Sequence, residues 1–244
     1  MQKDLFSNRA TSSLPSKGIG GSELSAIFGL HPFLSARELW RIKTGRPISV
    51  VRSDAMRRGV ELEPTVRHLY EETSGEKLWP GAKSKHPRWG EGVAMRAATD
   101  GTLPNGGIFE AKTTTFGTKT HQRFAAGMIP INYALQLQHY AAVCVQDGVV
   151  CALVGPAQSL PWEGLKWELF SIRWRRIPEL CALIELVVEE WFGQYVLADV
   201  PPPEFHHDVA RVAHLLDEDW MDPVERFEGE GLDARRLGRQ LDLF

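Results

Sequence analysis

The chain has 244 residues, 43% of them hydrophobic and 24% charged. That length and composition suit a globular protein with a sizeable core, either one large domain or a domain with an appendage. The absence of a signal-peptide pattern and the lack of any long uncharged apolar run argue against a secreted or membrane-spanning protein; the formal net charge of −3 at first argues against a nucleic-acid partner, but its distribution along the chain argues otherwise. The three cysteines, Cys144, Cys151 and Cys181, are too few and too scattered for a disulfide framework and read as reduced core residues of a cytoplasmic protein.

In chain order, residues 1–17 read as a flexible N-terminal arm. Ser22 is placed to cap a short helix ending at Gly29, and Ser35-Ala36-Arg37-Glu38 is a capping box opening a helix that stops near Gly45. A longer helix is predicted over 53–74, with Gly75 as its stop and Pro64 either kinking it or opening a second helix. On its helical wheel Met56, Gly59, Val60, Val66 and Tyr70 form one apolar stripe, and Glu63 falls in the middle of it. A carboxylate on an apolar face is costly unless it is paired or binds metal; a helix cap before Pro64 is the plainer alternative.

Between Trp79 and Ala125 there are seven basic residues and only three acids, Glu91, Asp100 and Glu110. A positive local field with embedded carboxylates suits a phosphate substrate and a metal ion, although a solvated basic face has the same composition. Strands are predicted over 93–99 and 108–113, joined by the turn Pro104-Asn105-Gly106-Gly107. In such a hairpin Asp100 and Glu110 become near cross-strand neighbours, and Lys112 shares a face with Glu110. Carboxylates so close repel unless a cation lies between them, and hard oxygen donors suit Mg²⁺ or Mn²⁺. Asp-Gly turns and Glu-x-Lys surface pairs are also common without chemistry.

A buried helix follows over 131–145, strands over about 149–154 and 167–173, and an amphipathic helix over about 178–196. Pro201-Pro202-Pro203 marks a boundary between a domain at 18–200 and a C-terminal extension at 201–244, where one short helix near 209–216 and an irregular tail are expected. Residues 199–244 carry a net charge of −7 and the remainder +4, so the tail can pack on a neighbouring subunit or fold back on its own body. His206 and His207 within it read as solvated. The alternation of helices and strands indicates an α/β domain with a central sheet.

Four segments together resemble the YqaJ and lambda exonuclease group of phage-type recombination exonucleases, within the PD-(D/E)xK nuclease superfamily. They are Ile19-Gly20-Gly21-Ser22-Glu23 with Glu38-Leu39-Trp40 and Lys43-Thr44-Gly45; Arg58-Gly59-Val60-Glu61-Leu62-Glu63-Pro64; Ala98-Thr99-Asp100-Gly101 with Phe109-Glu110-Ala111-Lys112-Thr113; and Tyr133-Ala134-Leu135-Gln136-Leu137-Gln138-His139-Tyr140. The resemblance implies that fold: a central mixed sheet flanked by helices, here with an acidic C-terminal extension. It implies that Asp100, Glu110 and the carbonyl of Ala111 hold Mg²⁺, for which Mn²⁺ substitutes, and that Glu63 completes the metal environment. Lys112 positions or activates the attacking water, and Gln138 fixes that water or Lys112, whereas Gln136 reads as a buried structural amide. Gly21, Ser22 and Lys17 form either a 5′-phosphate pocket or a plain helix start; the family's arginine seven residues before the matching serine is Pro15 here. Met56 is either a strand-splitting wedge or a core methionine. The implied activity is 5′-to-3′ digestion of one strand of linear double-stranded DNA, leaving 3′ overhangs for strand annealing. The implied partners are DNA ends, two further copies in a homotrimer and a single-strand annealing protein. A Cas4-like or restriction-type nuclease and an inactive DNA-binding assembly subunit are the alternatives.

Overall fold

The computed structural model describes residues 18–48, 53–86, 95–158, 161–203, 209–216 and 220–232. The segments that carry Lys17, the rest of the N-terminal arm, Arg88, Glu91, His206 and His207 lie outside them. The chain opens with strand β1 (Ile19–Gly20), then helices α1 (Gly21–Ile27), α2 (Ala36–Lys43) and α3 (Asp54–Ser74). Five strands follow: β2 (Trp79–Pro80), β3 (Lys83–Lys85), β4 (Met95–Ala98), β5 (Gly101–Thr102) and β6 (Ile108–Thr115). After α4 (Lys119–Ala125) and α5 (Ile131–Cys144) come β7 (Gly148–Gly155), β8 (Lys166–Trp174), α6 (Pro178–Trp191), a π-helical turn over Phe192–Leu197, α7 (Val209–Leu215) and β9 (Glu225–Glu230).

The main sheet has six strands in the order β2-β5-β6-β7-β8-β9, and a smaller sheet has the order β1-β4-β3. Both are mixed: β6 runs parallel to β7, and β1 parallel to β4, while the other pairs are antiparallel. Strand β7 is buried along its full length, as a central strand covered on both faces must be. Its alternation sorts the core. Val150, Ala152 and Val154 join the cluster of α1, α5 and α6, while Val149, Cys151 and Leu153 join Leu62, Val66 and Tyr70 of α3. The result is the α/β arrangement expected from the sequence, a central mixed sheet with helices on both faces. Among the described residues no helix is long and apolar enough to cross a membrane.

Four local expectations are corrected. First, 93–99 does not form a hairpin with 108–113. Met95–Ala98 pairs with β1 and β3 in the smaller sheet, and only Gly101 and Thr102 pair with β6; the chain changes sheets at Thr99-Asp100. Second, Ser22 is not a cap. Gly20 holds that position, and its N–H donates to the Glu23 carboxylate at 2.7 Å, so an acid replaces the hydroxyl. Third, α3 is one helix through Pro64, and its buried face is Leu62, Thr65, Val66, Leu69 and Tyr70. Met56 and Val60 are 49% and 70% exposed, because the first half of α3 projects past the core; the core-methionine reading of Met56 therefore fails. Fourth, the tail is not irregular throughout. Strand β9 pairs with β8, Val212 and Trp220 lie in the core, and Asp222 meets Arg175 at 2.6 Å. The acidic segment folds back on its own body, so the sheet continues past the boundary placed at residue 200.

Candidate active site

The short β5 leaves part of β6 open. Beyond Phe109, β6 keeps β7 on one side, and no β5 residue pairs with 110–115 on the other. Asp100 stands at this open edge and accepts the Ala111 N–H at 2.8 Å. In an extended strand the N–H and C=O of one residue point to the same side. The Ala111 carbonyl is therefore directed to the edge where Asp100 sits. Glycine at position 101 leaves room for the Arg67 guanidinium, which would stand 2.5 Å from a Cβ there and would have to shift. Arg67 itself donates to the Asp100 carbonyl and, at 3.3 Å, to the Trp79 carbonyl. It fastens α3 to the turn that presents Asp100.

Glu110 and Lys112 share a strand face that looks onto α5. Lys112 Nζ donates to Glu110 Oε1 at 2.5 Å and to Gln136 Oε1 at 3.0 Å. Gln136 Nε2 donates to the same Glu110 oxygen at 2.6 Å and to the Tyr140 hydroxyl at 2.9 Å. The ammonium lies over the Tyr133 ring, 5.0 Å from its centroid, a further attraction for a cation. Glu110 is 3% exposed, and its second oxygen, Oε2, is buried without a hydrogen-bond partner.

The charges in this network are mutually dependent. Burial raises the Glu110 carboxyl to about 7; Asp100 pushes it the same way, and Lys112 opposes. Burial alone lowers the Lys112 ammonium, but Glu110, Tyr133 and Asp100 more than reverse this and hold it above the usual lysine range. Glu63 on α3 is raised by burial and by the charge of Asp100, against Arg67 and Lys112. Asp100 thus presses on both Glu63 and Glu110, and the excess negative charge calls for a cation. Among the described residues no three His, Cys, Asp or Glu side chains stand close enough to hold a metal ion on their own. The oxygens that fit one are the orphaned Glu110 Oε2, Asp100 and the Ala111 carbonyl, all hard donors, with Glu63 coupled to Asp100 by charge.

The structure therefore brings together Asp100, Glu110, Ala111 and Lys112, with Glu63 at the margin. It does not bring Gln138 to them, and that expectation is corrected. Gln138 is fully buried on the far side of α5, where Nε2 donates to the Arg175 carbonyl at 2.9 Å and Oε1 accepts the Ile177 N–H at 2.9 Å. Residues two apart on a helix differ by about 200° in direction, so only one glutamine of the pair can face β6, and it is Gln136. Tyr133, Gln136 and Tyr140 form its stripe at i, i+3 and i+7, a spacing that could have identified it in the sequence. Ser22 is exposed at the start of α1, and Gly21 lies against Tyr140, where a Cβ would come within 2.5 Å of the ring. Lys17 is outside the described residues.

The two glutamines should separate in a pair of variants. Gln136→Ala is expected to lower the reaction rate about 10- to 100-fold, as removal of a partner that orients a site residue does. Gln138→Ala is expected to cost about 2–4 kcal/mol of stability, by orphaning buried backbone groups, with little change in rate. Thermal midpoints and single-turnover rates of both proteins check this; rate loss in Gln138→Ala at unchanged stability would reverse the assignment.

Comparison with known proteins gives one family. Residues 13–147 match the model of the YqaJ-like viral recombinase domain. The uncharacterized protein YqaJ of Bacillus subtilis (strain 168) is 35% identical over 129 residues, which span 52% of this chain and 39% of that protein; the match thus reaches less than half of the relative's length. Among solved structures, the alkaline exonuclease LHK-Exo from Laribacter hongkongensis superposes with a TM-score of 0.56 at 22% identity, over 76% of this chain and 90% of that one. A phage-related exonuclease from Haemophilus somnus 129PT gives 0.54 at 15% identity, over 75% and 96%. These two likenesses show a shared fold.

Proposed function

The chain belongs to the YqaJ-like viral recombinase domain family, and from that premise we propose that it is a metal-dependent exonuclease that digests one strand of linear double-stranded DNA from the 5′ end. The observation that carries the reading is the buried, partnerless Glu110 Oε2 beside Asp100 with the charged Lys112 alongside. The exonuclease fold of the structural neighbours supports it, as does LHK-Exo's binding of dAMP, a deoxynucleoside monophosphate.

In this reading Asp100, Glu110 and the Ala111 carbonyl hold Mg²⁺, or Mn²⁺ in its place, and Glu63 completes the environment at longer range. An ion held there would lower the pKa of water and neutralise charge that grows on the phosphate. Lys112 acts as a donor and a positive charge toward the attacked phosphate and positions or activates the attacking water. Gln136 and Tyr133 keep its ammonium in place, and Glu110 Oε1 anchors it. Arg67 and the Ala111 N–H fix Asp100 from two directions. The products carry 5′-phosphates and the remaining strand a 3′ overhang, suited to a single-strand annealing protein. A homotrimer around the DNA in the cytoplasm of a bacterial or phage-infected cell is the assembly that the family resemblance supports. A Cas4-like enzyme needs clustered cysteines, and Cys144, Cys151 and Cys181 are free thiols on three different elements. An inactive assembly subunit has no use for an orphaned buried carboxylate oxygen.

Polarity and end preference are tested with duplexes labelled separately at each 5′ and 3′ end, phosphorylated or not, in Mg²⁺. Early release of the 5′ label, faster from phosphorylated ends and slowed on those ends by Ser22→Ala, is expected. Early release of the 3′ label would overturn the polarity, and equal rates on both kinds of end, unaffected by Ser22→Ala, would remove the phosphate pocket at Gly21 and Ser22.

A further inference from the structure

Strands β2 and β3 run antiparallel to β4 and β5 as one ribbon that crosses from the smaller sheet to the larger without a change of register. Lys85 faces Arg96, Lys83 faces Ala98, Pro80 faces Gly101 and Trp79 faces Thr102. Across the gap the Ala82 N–H donates to Thr99 Oγ1 at 3.0 Å, and the Ala82 carbonyl accepts the Thr99 N–H at 3.0 Å. Asp100 therefore falls opposite Gly81. Met95, Ala97, Gly101 and Leu103 are buried, whereas Arg96, Ala98, Asp100 and Thr102 are not. Residues directly opposed in an antiparallel pair share a face, so the outward side of the ribbon carries Lys83, Lys85 and Arg96 on the smaller sheet and Trp79 and Asp100 on the larger, and it turns between them, because Met95 and Ala97 pack into the core of α1 and α5 and Leu103 into that of α3.

This face has a composition that folding does not explain. The Trp79 side chain is 64% exposed, although its backbone is fixed by pairing with Thr102 and by Arg67. Lys83 and Lys85 are exposed and form no ion pair among the described residues. Arg96 lies 4.0 Å from Glu23 and is 42% exposed. An exposed indole on a fixed backbone, with cations farther along the same ribbon, is a stacking platform for a base with charges for the flanking phosphates. Trp79 to Lys85 spans about 20 Å, with the site carboxylate within that length. A base inside a duplex has both faces covered by its neighbours, so an indole offers most to an unpaired strand.

We propose that the outward face of this ribbon is a track for single-stranded DNA running to Asp100, with a base stacked on Trp79 and phosphates met by Lys83 and Lys85. The proposal rests on the nuclease reading, which supplies a single strand at this place. The track is specific to this edge of the site and distinct from the residues that hold the metal.

The test measures binding of a fluorescein-labelled oligo(dT) and of a blunt hairpin duplex by anisotropy in EDTA, where no cleavage occurs. Wild type is compared with Trp79→Ala, Trp79→Phe and the double variant Lys83→Gln/Lys85→Gln, each checked for an unchanged thermal midpoint. Trp79→Ala is expected to weaken oligo(dT) binding about 10-fold, with little effect on the duplex, and Trp79→Phe to restore most of it. The double lysine variant should reduce the slope of log K against log salt by about 1.4. Wild-type affinity for oligo(dT) in Trp79→Ala, equal losses on duplex and single strand, or an unchanged salt slope would overturn the track. Cleavage of linear duplex by wild type in Mg²⁺ is scored separately: if it is absent while the binding losses stand, the nuclease reading fails and the track does not; if it is present while the losses are missing, the reverse holds.

Discussion

Asp100→Asn is expected to lower cleavage of linear duplex by a factor of about 10³ or more while the protein stays folded. The amide keeps the shape of the carboxylate and can still accept the Ala111 N–H that Asp100 accepts at 2.8 Å. What it removes is the negative charge that, in the proposed function, holds a cation against Glu110. Loss of metal assistance of several kcal/mol corresponds to this factor, since each 1.4 kcal/mol or so is tenfold. Stability should hold or rise, because one of two repelling acids becomes neutral: the Asp100 charge helps to push the Glu110 carboxyl to about 7, next to burial itself. Asp100→Ala loses the same charge but also orphans the Ala111 N–H, so the asparagine variant gives the clearer reading. Nuclease rates together with thermal midpoints decide it. Full Mg²⁺-dependent activity in Asp100→Asn would remove this residue from the chemistry.

Lys112→Met is expected to lose about 10²- to 10³-fold in rate while metal affinity is kept, since removing one donor aimed at developing charge has that effect. The ammonium is 14% exposed in its side chain and bonded to Glu110 and Gln136, so its removal strands a buried carboxylate. Breaking a buried pair commonly costs about 3–5 kcal/mol, but here a proton or a metal ion can take the place of the lysine at Glu110. The variant is therefore expected to be stabilised by Mg²⁺ at least as strongly as wild type, a shift readable in the thermal midpoint. Loss of the Mg²⁺ stabilisation in Lys112→Met, with its retention in Asp100→Asn, would exchange the two roles.

The parts of this architecture written in short-range pattern were legible in the sequence. The capping box at Ser35 and Glu38, the glycine stop at Gly75 and the all-round apolar helix of α5 each follow from local chemistry, and all three are observed. The proximity of Asp100, Glu110 and Lys112 followed from spacing, because Glu110 and Lys112 are two apart on one strand and Asp100 sits as far before the turn as Glu110 sits after it. What escaped was set by partners distant in sequence. The change of sheet at Thr99 depends on β1 and β3, which no local window contains. The resemblance singles out Gln138, whereas the stripe of Tyr133, Gln136 and Tyr140 is the one that the fold turns toward β6. Arg67 is one of several charges on α3, and only the fold brings the Asp100 and Trp79 carbonyls to it. β9 is a run of charge with a single aromatic residue, Phe227. It forms a strand because β8 offers it a free edge, with Arg226 meeting Glu168 at 2.9 Å.

The most direct test of the central claim is release of 5′-mononucleotides from a linear duplex by purified wild-type protein, with Mg²⁺ and with EDTA. The site built on Asp100, Glu110 and Lys112 predicts steady release in Mg²⁺, none in EDTA, and recovery when the metal is restored. Equal release in EDTA, or no release with Mg²⁺ or Mn²⁺, would contradict it.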